Sequence, residues 1–176
     1  MKIDKKVWPR YKTEVIDEFT FLLEKIALKI ARAAKKNKMK YAIGSGLAIE
    51  FFKGRLSRNH HDVDFHPLIS DAKWWAEWFR NHGYKVIEKQ DGEGNKVYEI
   101  KGEEGEVLVD LWPINKREWK DMNVKKVNYK GVIVCIEEPD RVLRSKVRYA
   151  REHCQGKLRV QDLHDFTSLG KTPPLE

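Results

Sequence analysis

The chain is poor in staples. It has two cysteines and six prolines in 176 residues, and no Cys-x-x-Cys spacing. A structural zinc site is therefore not the basis of its fold. Cys135 lies in the apolar run Val132-Ile133-Val134-Cys135-Ile136 and reads as a small buried hydrophobe. No apolar stretch approaches the ~20 residues of a membrane span. The start, Met1-Lys2-Ile3-Asp4, lacks the apolar segment of a signal peptide. These absences point to a soluble, cytoplasmic protein with reduced thiols and no membrane partner. Two phosphate-binding signatures are missing as well: no Gly-x-x-x-x-Gly-Lys-Ser/Thr makes a P-loop, and no Gly-x-Gly-x-x-Gly makes a dinucleotide fingerprint.

What is present in excess is positive charge. Thirty-five Lys and Arg against 27 Asp and Glu give a net charge of +8. That balance suits an anionic partner such as a nucleotide, a nucleic acid or an acidic surface, and equally a lysine-rich solvated surface. The length fits one domain over residues 1–176 with a real core. Residues 1–12 are basic and irregular, either packed through Trp8-Pro9 or loose. The segment 137–170 reads as C-terminal helices and 171–176 as a frayed tail.

Apolar residues from Val15 to Ala34 recur with the 3.6-residue period of an amphipathic helix, opened near Thr13 and closed by Lys35-Lys36-Asn37-Lys38. That basic end suits the helix dipole and could also meet phosphates. Lys40 to Ile43 is a short strand entering Gly44-Ser45-Gly46, followed by a helix from Leu47 to Phe52. A polar loop leads to a strand from His61 to His66, ended by Pro67. Ser70 is placed to cap a helix over Asp71 to His82, whose stripe of Trp74, Trp75, Trp78 and Phe79 reads as core. Runs at 84–89, 96–101 and 106–112, separated by Gly-rich turns, form a meander, and 125–136 form a hairpin turning at Lys130-Gly131. Pro139 opens one more helix and Val160 another. The order reads as α+β: a mixed, mostly antiparallel sheet with helices packed on one side.

The chemistry lies in the acids. Asp is a poor strand former, yet Asp62 and Asp64 flank Val63 in a strand-like run. Period two sends both carboxylates to one face, about 6–7 Å apart, and sends Val63 and Phe65 to the other. Two carboxylates on one face repel unless a cation lies between them. Mg²⁺ takes oxygen ligands and accepts phosphate oxygens and water in its remaining positions. Asp110, in Val107-Leu108-Val109-Asp110-Leu111-Trp112, is a third acid on the polar face of an apolar strand. It joins the pair if the two strands are neighbours. The alternatives are an Asp110 that caps a strand end or pairs with Arg117, and an Asp62 and Asp64 that pair with Arg55 or Arg58. Gly44, Ser45 and Gly46 supply a strand-to-helix turn whose N–H groups can approach a phosphate chain.

Gly44-Ser45-Gly46-Leu47-Ala48, Gly54-Arg55 and Arg58-x-His60-x-Asp62-x-Asp64 together resemble the DNA polymerase β-type nucleotidyltransferase superfamily. The likeness is to its small members: the aminoglycoside- and lincosamide-type nucleotidyltransferases and their minimal relatives. Asp110 in Val-Asp-Leu-Trp-Pro fits that family's third acid. Arg159-Val-Gln-Asp162-Leu163-x-Asp165 is similar to its Arg-x-x-Asp-Leu-x-Asp ending. Ser45 stands where many relatives have glycine.

The resemblance implies transfer of a nucleoside monophosphate from a nucleoside triphosphate to an acceptor hydroxyl, with release of pyrophosphate. It implies two Mg²⁺ ions, with Mn²⁺ as a substitute, held by Asp62, Asp64 and Asp110. Asp110 would also take the acceptor's proton. Ser45 with the backbone of Gly44 and Gly46 would hold the β- and γ-phosphates. Arg58 and Lys146 would neutralise phosphate charge, a solvated position on its helix being the other reading of Lys146. The acceptor, a small molecule or a tRNA or protein, stays open, as does the base; Trp112 or Tyr41 could stack on it or pack in the core. A non-catalytic nucleotide-binding or toxin–antitoxin module of the same fold is the alternative. His61-Asp62 also prompts an HD-type phosphohydrolase, which requires an all-helical body.

Overall fold

The computed structural model describes residues 15–174. Thr13 and the Trp8-Pro9 segment lie outside the described residues. The first helix, α1 (Glu18–Asn37), is capped by Asp17, whose carboxylate accepts the Thr20 N–H at 2.7 Å. Val15 is almost fully exposed, so the apolar period does not extend back to it. Lys38 adopts a left-handed conformation, and the Met39 N–H returns to the Ala34 carbonyl at 2.9 Å.

Seven strands form one sheet: β1 (Tyr41–Ile43), β2 (Val63–Pro67), β3 (Lys85–Gln90), β4 (Lys96–Lys101), β5 (Val107–Leu111), β6 (Lys125–Tyr129) and β7 (Val132–Ile136). Their order is β3-β4-β5-β2-β1-β7-β6. Two neighbouring pairs, β2/β5 and β1/β7, are parallel, and the others are antiparallel. The β6–β7 turn falls at Lys130-Gly131, both with positive φ, as a two-residue hairpin requires.

Alternation along the central strands divides the sheet into two faces. Val63, Phe65, Val109 and Leu111 are fully buried on one, with Ile43 beside them. They pack under α1, α2 (Ser45–Lys53) and α3 (Ala72–Asn81). Phe65 meets Trp75 edge-on, with ring centroids 4.8 Å apart. Trp75 and Phe79 are buried and Trp74 and Trp78 half-buried, so the aromatic stripe is core. A short 3₁₀ turn (Ile69–Asp71) precedes α3, and Ser70 bonds the Asp71 side chain instead of capping the helix.

One helix was not legible. The segment Lys116–Asp121 is α4, opened by a capping box in which Asn115 and Glu118 each accept from the other's end of the turn. It lies by the sheet's opposite face, where Ala42, Ile114 and Met122 form a small second core with Trp119. Two further helices complete the chain, α5 (Pro139–His153) and α6 (Val160–Ser168). Beyond them Pro173 is buried and Lys171 pairs with Asp140, so 171–174 dock where fraying is expected. Among the described residues, no helix is long and apolar enough to cross a membrane.

Candidate active site

The sheet register brings the predicted acids together. In the parallel β2/β5 pair Asp64 stands opposite Asp110, flanked by the pairs Val63–Val109 and Phe65–Leu111. Backbones of paired strands are about 4.8 Å apart. Asp62 precedes β2 by one residue and shares the polar face of Asp64 by alternation. Each acid feels another: burial first and then Asp64 raise the pKa of Asp62, and burial raises that of Asp64, with Asp110 adding to it. The Asp110 carboxyl is pushed up to about 6 by burial, then by Asp62 and Glu99.

The alternative pairings are not made. Arg117 lies 4.0 Å from Asp121, and Arg58 is engaged with Asp165. Among the described residues none of the three acids is ion-paired. The strand setting of Asp62 and Asp64, with His61 exposed, also removes the all-helical phosphohydrolase reading.

This donor set suits a hard divalent cation: three unpaired carboxylates on adjacent strands, each raised by burial and by a like neighbour. As the side chains stand, no group of three acidic, His or Cys residues is gathered around a single point among the described residues.

The glycine turn works differently from its sequence expectation. Gly44 ends β1, donates its N–H to the Asp64 carbonyl at 2.9 Å, and is the N-cap of α2. That N–H is therefore taken by the sheet and is not offered outward. The left-handed residue of the turn is Ser45, with φ 52°, a conformation uncommon for a side-chain-bearing residue. Its hydroxyl helps hold down the pKa of Asp64, against the rise caused by burial. The glycines are required by close approach. A Cβ on Gly44 would sit 2.6 Å from His66 Nε2. A Cβ on Gly46 would fall inside the Arg58 guanidinium and 2.8 Å from His60 Cε1.

Arg58 and Lys146 are both buried. Arg58 forms a two-pronged pair with Asp165, at 2.9 and 3.0 Å. Lys146 Nζ lies 2.9 Å from Asp162 and 3.0 Å from Asp165, and Asp162 is gripped in turn by Arg159. The chain Arg159–Asp162–Lys146–Asp165–Arg58 thus alternates in charge and ties α6 to α5 and to the loop before β2. It gives a physical reason for the spacing of Arg159, Asp162 and Asp165. Lys146 is not the solvated lysine that was its other reading.

Lys146 and Arg159 of this chain of charges border a cleft of about 780 Å³ between the polar face of the sheet and α5. Asp64, Asp110, Ser45 and Lys146 line it. So do His66 and Glu137, which the sequence reading did not single out. His66 shares the two-residue period of Asp62 and Asp64, a signal that was available. Glu137, directly after an apolar strand, carried none. Burial lowers the pKa of His66, leaving a neutral ring. Trp112 is partly exposed in the cleft, whereas Tyr41 is buried with its hydroxyl accepting the Cys135 N–H. Of the two proposed base-stacking residues, only Trp112 reaches the cleft.

A scan against protein-family models finds no match, and a search of curated proteins finds none either. Solved structures do match. The antibiotic-resistance factor ANT(2'')-Ia aligns with a TM-score of 0.65 at 18% identity, over 85% of this chain and 82% of its own. The lincosamide antibiotic adenylyltransferase LnuA, solved with lincomycin bound, aligns with a TM-score of 0.64 at 19% identity, over 84% of this chain and 96% of its own. The chain has the polymerase β-type nucleotidyltransferase fold. A nucleotidyltransferase-like protein from Paracoccidioides brasiliensis shares it at a TM-score of 0.54 and 19% identity, over 84% of this chain and 74% of its own. At these identities the likeness lies in the nucleotidyltransferase fold; the residues of the cleft are this chain's own.

Proposed function

We propose that the protein transfers a nucleoside monophosphate from a nucleoside triphosphate to an acceptor hydroxyl, with Mg²⁺ as cofactor and Mn²⁺ as a substitute. The observation that carries this reading is the parallel register of Asp64 with Asp110, with Asp62 on the same face and, among the described residues, no side-chain cation paired to any of the three. Mg²⁺ held by Asp62, Asp64 and Asp110 would supply charge neutralisation at the α-phosphate and at the leaving oxygen.

The chain's own groups do the rest. The Ser45 hydroxyl and the opening N–H groups of α2, which by geometry have no partner within the helix, hold the phosphate chain beside Asp64. Lys146 anchors Asp162 and Asp165, and its positive charge lowers the pKa of Asp64. Arg58 acts through Asp165, holding α6 and the loop before β2, and not at the phosphates. Asp110, ionised above pH ~6, takes the acceptor's proton as its oxygen attacks the α-phosphorus. The new O–P bond forms, the α–β phosphoanhydride bond breaks, and pyrophosphate leaves. A cleft of about 780 Å³ has room for a nucleotide and a small acceptor, or for the end of a larger one.

The test is incubation with each α-labelled nucleoside triphosphate, Mg²⁺ and an acceptor extract. Wild type should label an acceptor and release pyrophosphate, and the Asp62→Ala/Asp64→Ala variant should do neither. Equal labelling by both proteins would overturn the proposal.

A further inference from the structure

A one-sided surface lies on α1, which shares no residue with the cleft. From residue 25 to residue 36, every fully exposed side chain of α1 is a cation. Lys25, Lys29, Arg32 and Lys36 recur at intervals of four, three and four residues and are all exposed. At 100° per residue they fall within a stripe about 60° wide and about 16 Å long. Lys35 and Lys38 extend it at the helix end. The single acid in this stretch of turns, Glu24, is buried and held by Tyr129 and Lys130. The other acid of the helix, Glu18, lies in the first turn. Among the described residues none of these six cations has an anionic partner. Surface lysines usually alternate with acids, as i,i+4 pairs stabilise a helix and like charges at that spacing destabilise it. A row of like charges that no described residue offsets suits an external anion.

We infer that this face of α1 binds the phosphate backbone of a single-stranded nucleic acid. The inference is independent of the proposed chemistry, since the row shares no residue with the cleft. A regular row of cations matches a regular row of phosphates, and phosphate contacts carry no sequence information, so binding is insensitive to sequence. A lipid surface fits less well. Most of the apolar stripe of α1, from Leu23 to Ala34, is buried against the sheet; Phe21 and Leu22 near its start are exposed, and Phe19 and Ala33 are half-buried. A membrane-bound helix inserts its apolar face, and this one is already occupied.

Four neutralised phosphates give a slope of about −2.8 in log K against log salt for a single strand. Affinity should therefore fall about 50-fold between 50 and 200 mM salt. The experiment measures anisotropy of a fluorescent 20-nucleotide RNA of mixed sequence, with the full chain and without Mg²⁺ or nucleotide. Three proteins are compared: wild type, the Lys25→Gln/Lys29→Gln/Arg32→Gln/Lys36→Gln variant, and a Lys73→Gln/Lys85→Gln/Lys116→Gln/Lys120→Gln variant with the same net charge and other exposed sites. Circular dichroism checks that all three fold. Wild type and the second variant should bind with the predicted slope, and the α1 variant should lose most of the binding. The idea is overturned if wild type fails to bind at 50 mM salt, if both variants lose equally, or if phosphatidylserine vesicles are bound and RNA is not. Because these substitutions lie outside the cleft, nucleotidyl transfer to a small acceptor can survive a negative result.

Discussion

Replacing Asp110 by Asn should stabilise the protein at pH 8 in metal-free buffer and do little at pH 4. Burial, Asp62 and Glu99 raise the folded-state pKa of Asp110 from 3.8 to about 6. Between those values the folded chain keeps a proton that the unfolded chain has lost. Wild-type stability therefore falls as pH rises from about 3.8 through about 6 and stays lower above it. A shift of that size on a fully buried group corresponds to about 3 kcal/mol. Asp110 is only half-buried, and solvent screening reduces this to about 1–2 kcal/mol. For a chain of this length the gain in Tm is about 2–8 °C. Calorimetry of both proteins at pH 4.5 and pH 8, in EDTA and moderate salt, measures it. Millimolar Mg²⁺ at pH 8 should then stabilise wild type and shrink the difference. An Asp110→Asn protein less stable than wild type at pH 8, or a difference independent of pH, would refute the reasoning that these acids confront one another.

Other consequences follow from the buried groups. Lys146→Met leaves Asp162 and Asp165 facing each other inside the protein and should cost about 3 kcal/mol by urea denaturation. Gly46→Ala pushes against an Arg58 that Asp165 holds in place, so it should cost about 2–3 kcal/mol in the same assay. His60 is buried and neutral, with its pKa lowered from 6.5 to about 2 by burial and then by Arg58 and Lys146. Its contribution is present above pH 6.5 and is lost as pH falls, so His60→Asn should flatten the stability profile between pH 6.5 and 4, read from denaturation midpoints.

Much of the architecture was legible because period and punctuation agreed. Alternation at Val63, Asp64 and Phe65 foretold two faces, and Pro139 marked the start of α5. Adjacency of β2 and β5 was not legible, because the partners are almost fifty residues apart and no local signal sets which strands pair. The same limit hid the roles of Arg58 and Lys146. The resemblance implied phosphate contact for both, whereas their ion-pair partners come from α6, which only the tertiary fold brings to them. The glycines have a second role that no local signal carried: the turn's unusual φ belongs to Ser45, and the missing side chains make room for His66, His60 and Arg58. The helix α4 was missed although Asn115-x-x-Glu118 is a capping-box pattern, since its six residues hold too few turns to show a period.

The central claim is that Asp62, Asp64 and Asp110 hold a divalent cation that in turn holds a triphosphate. Titration calorimetry of each nucleoside triphosphate into the protein, with Mg²⁺ and with EDTA, tests it most directly. Wild type should bind at least one triphosphate with Mg²⁺ and none in EDTA, and an Asp64→Asn protein that melts no lower than wild type should bind none in either. Equal binding with Mg²⁺ and with EDTA, or undiminished binding by Asp64→Asn, would contradict the account.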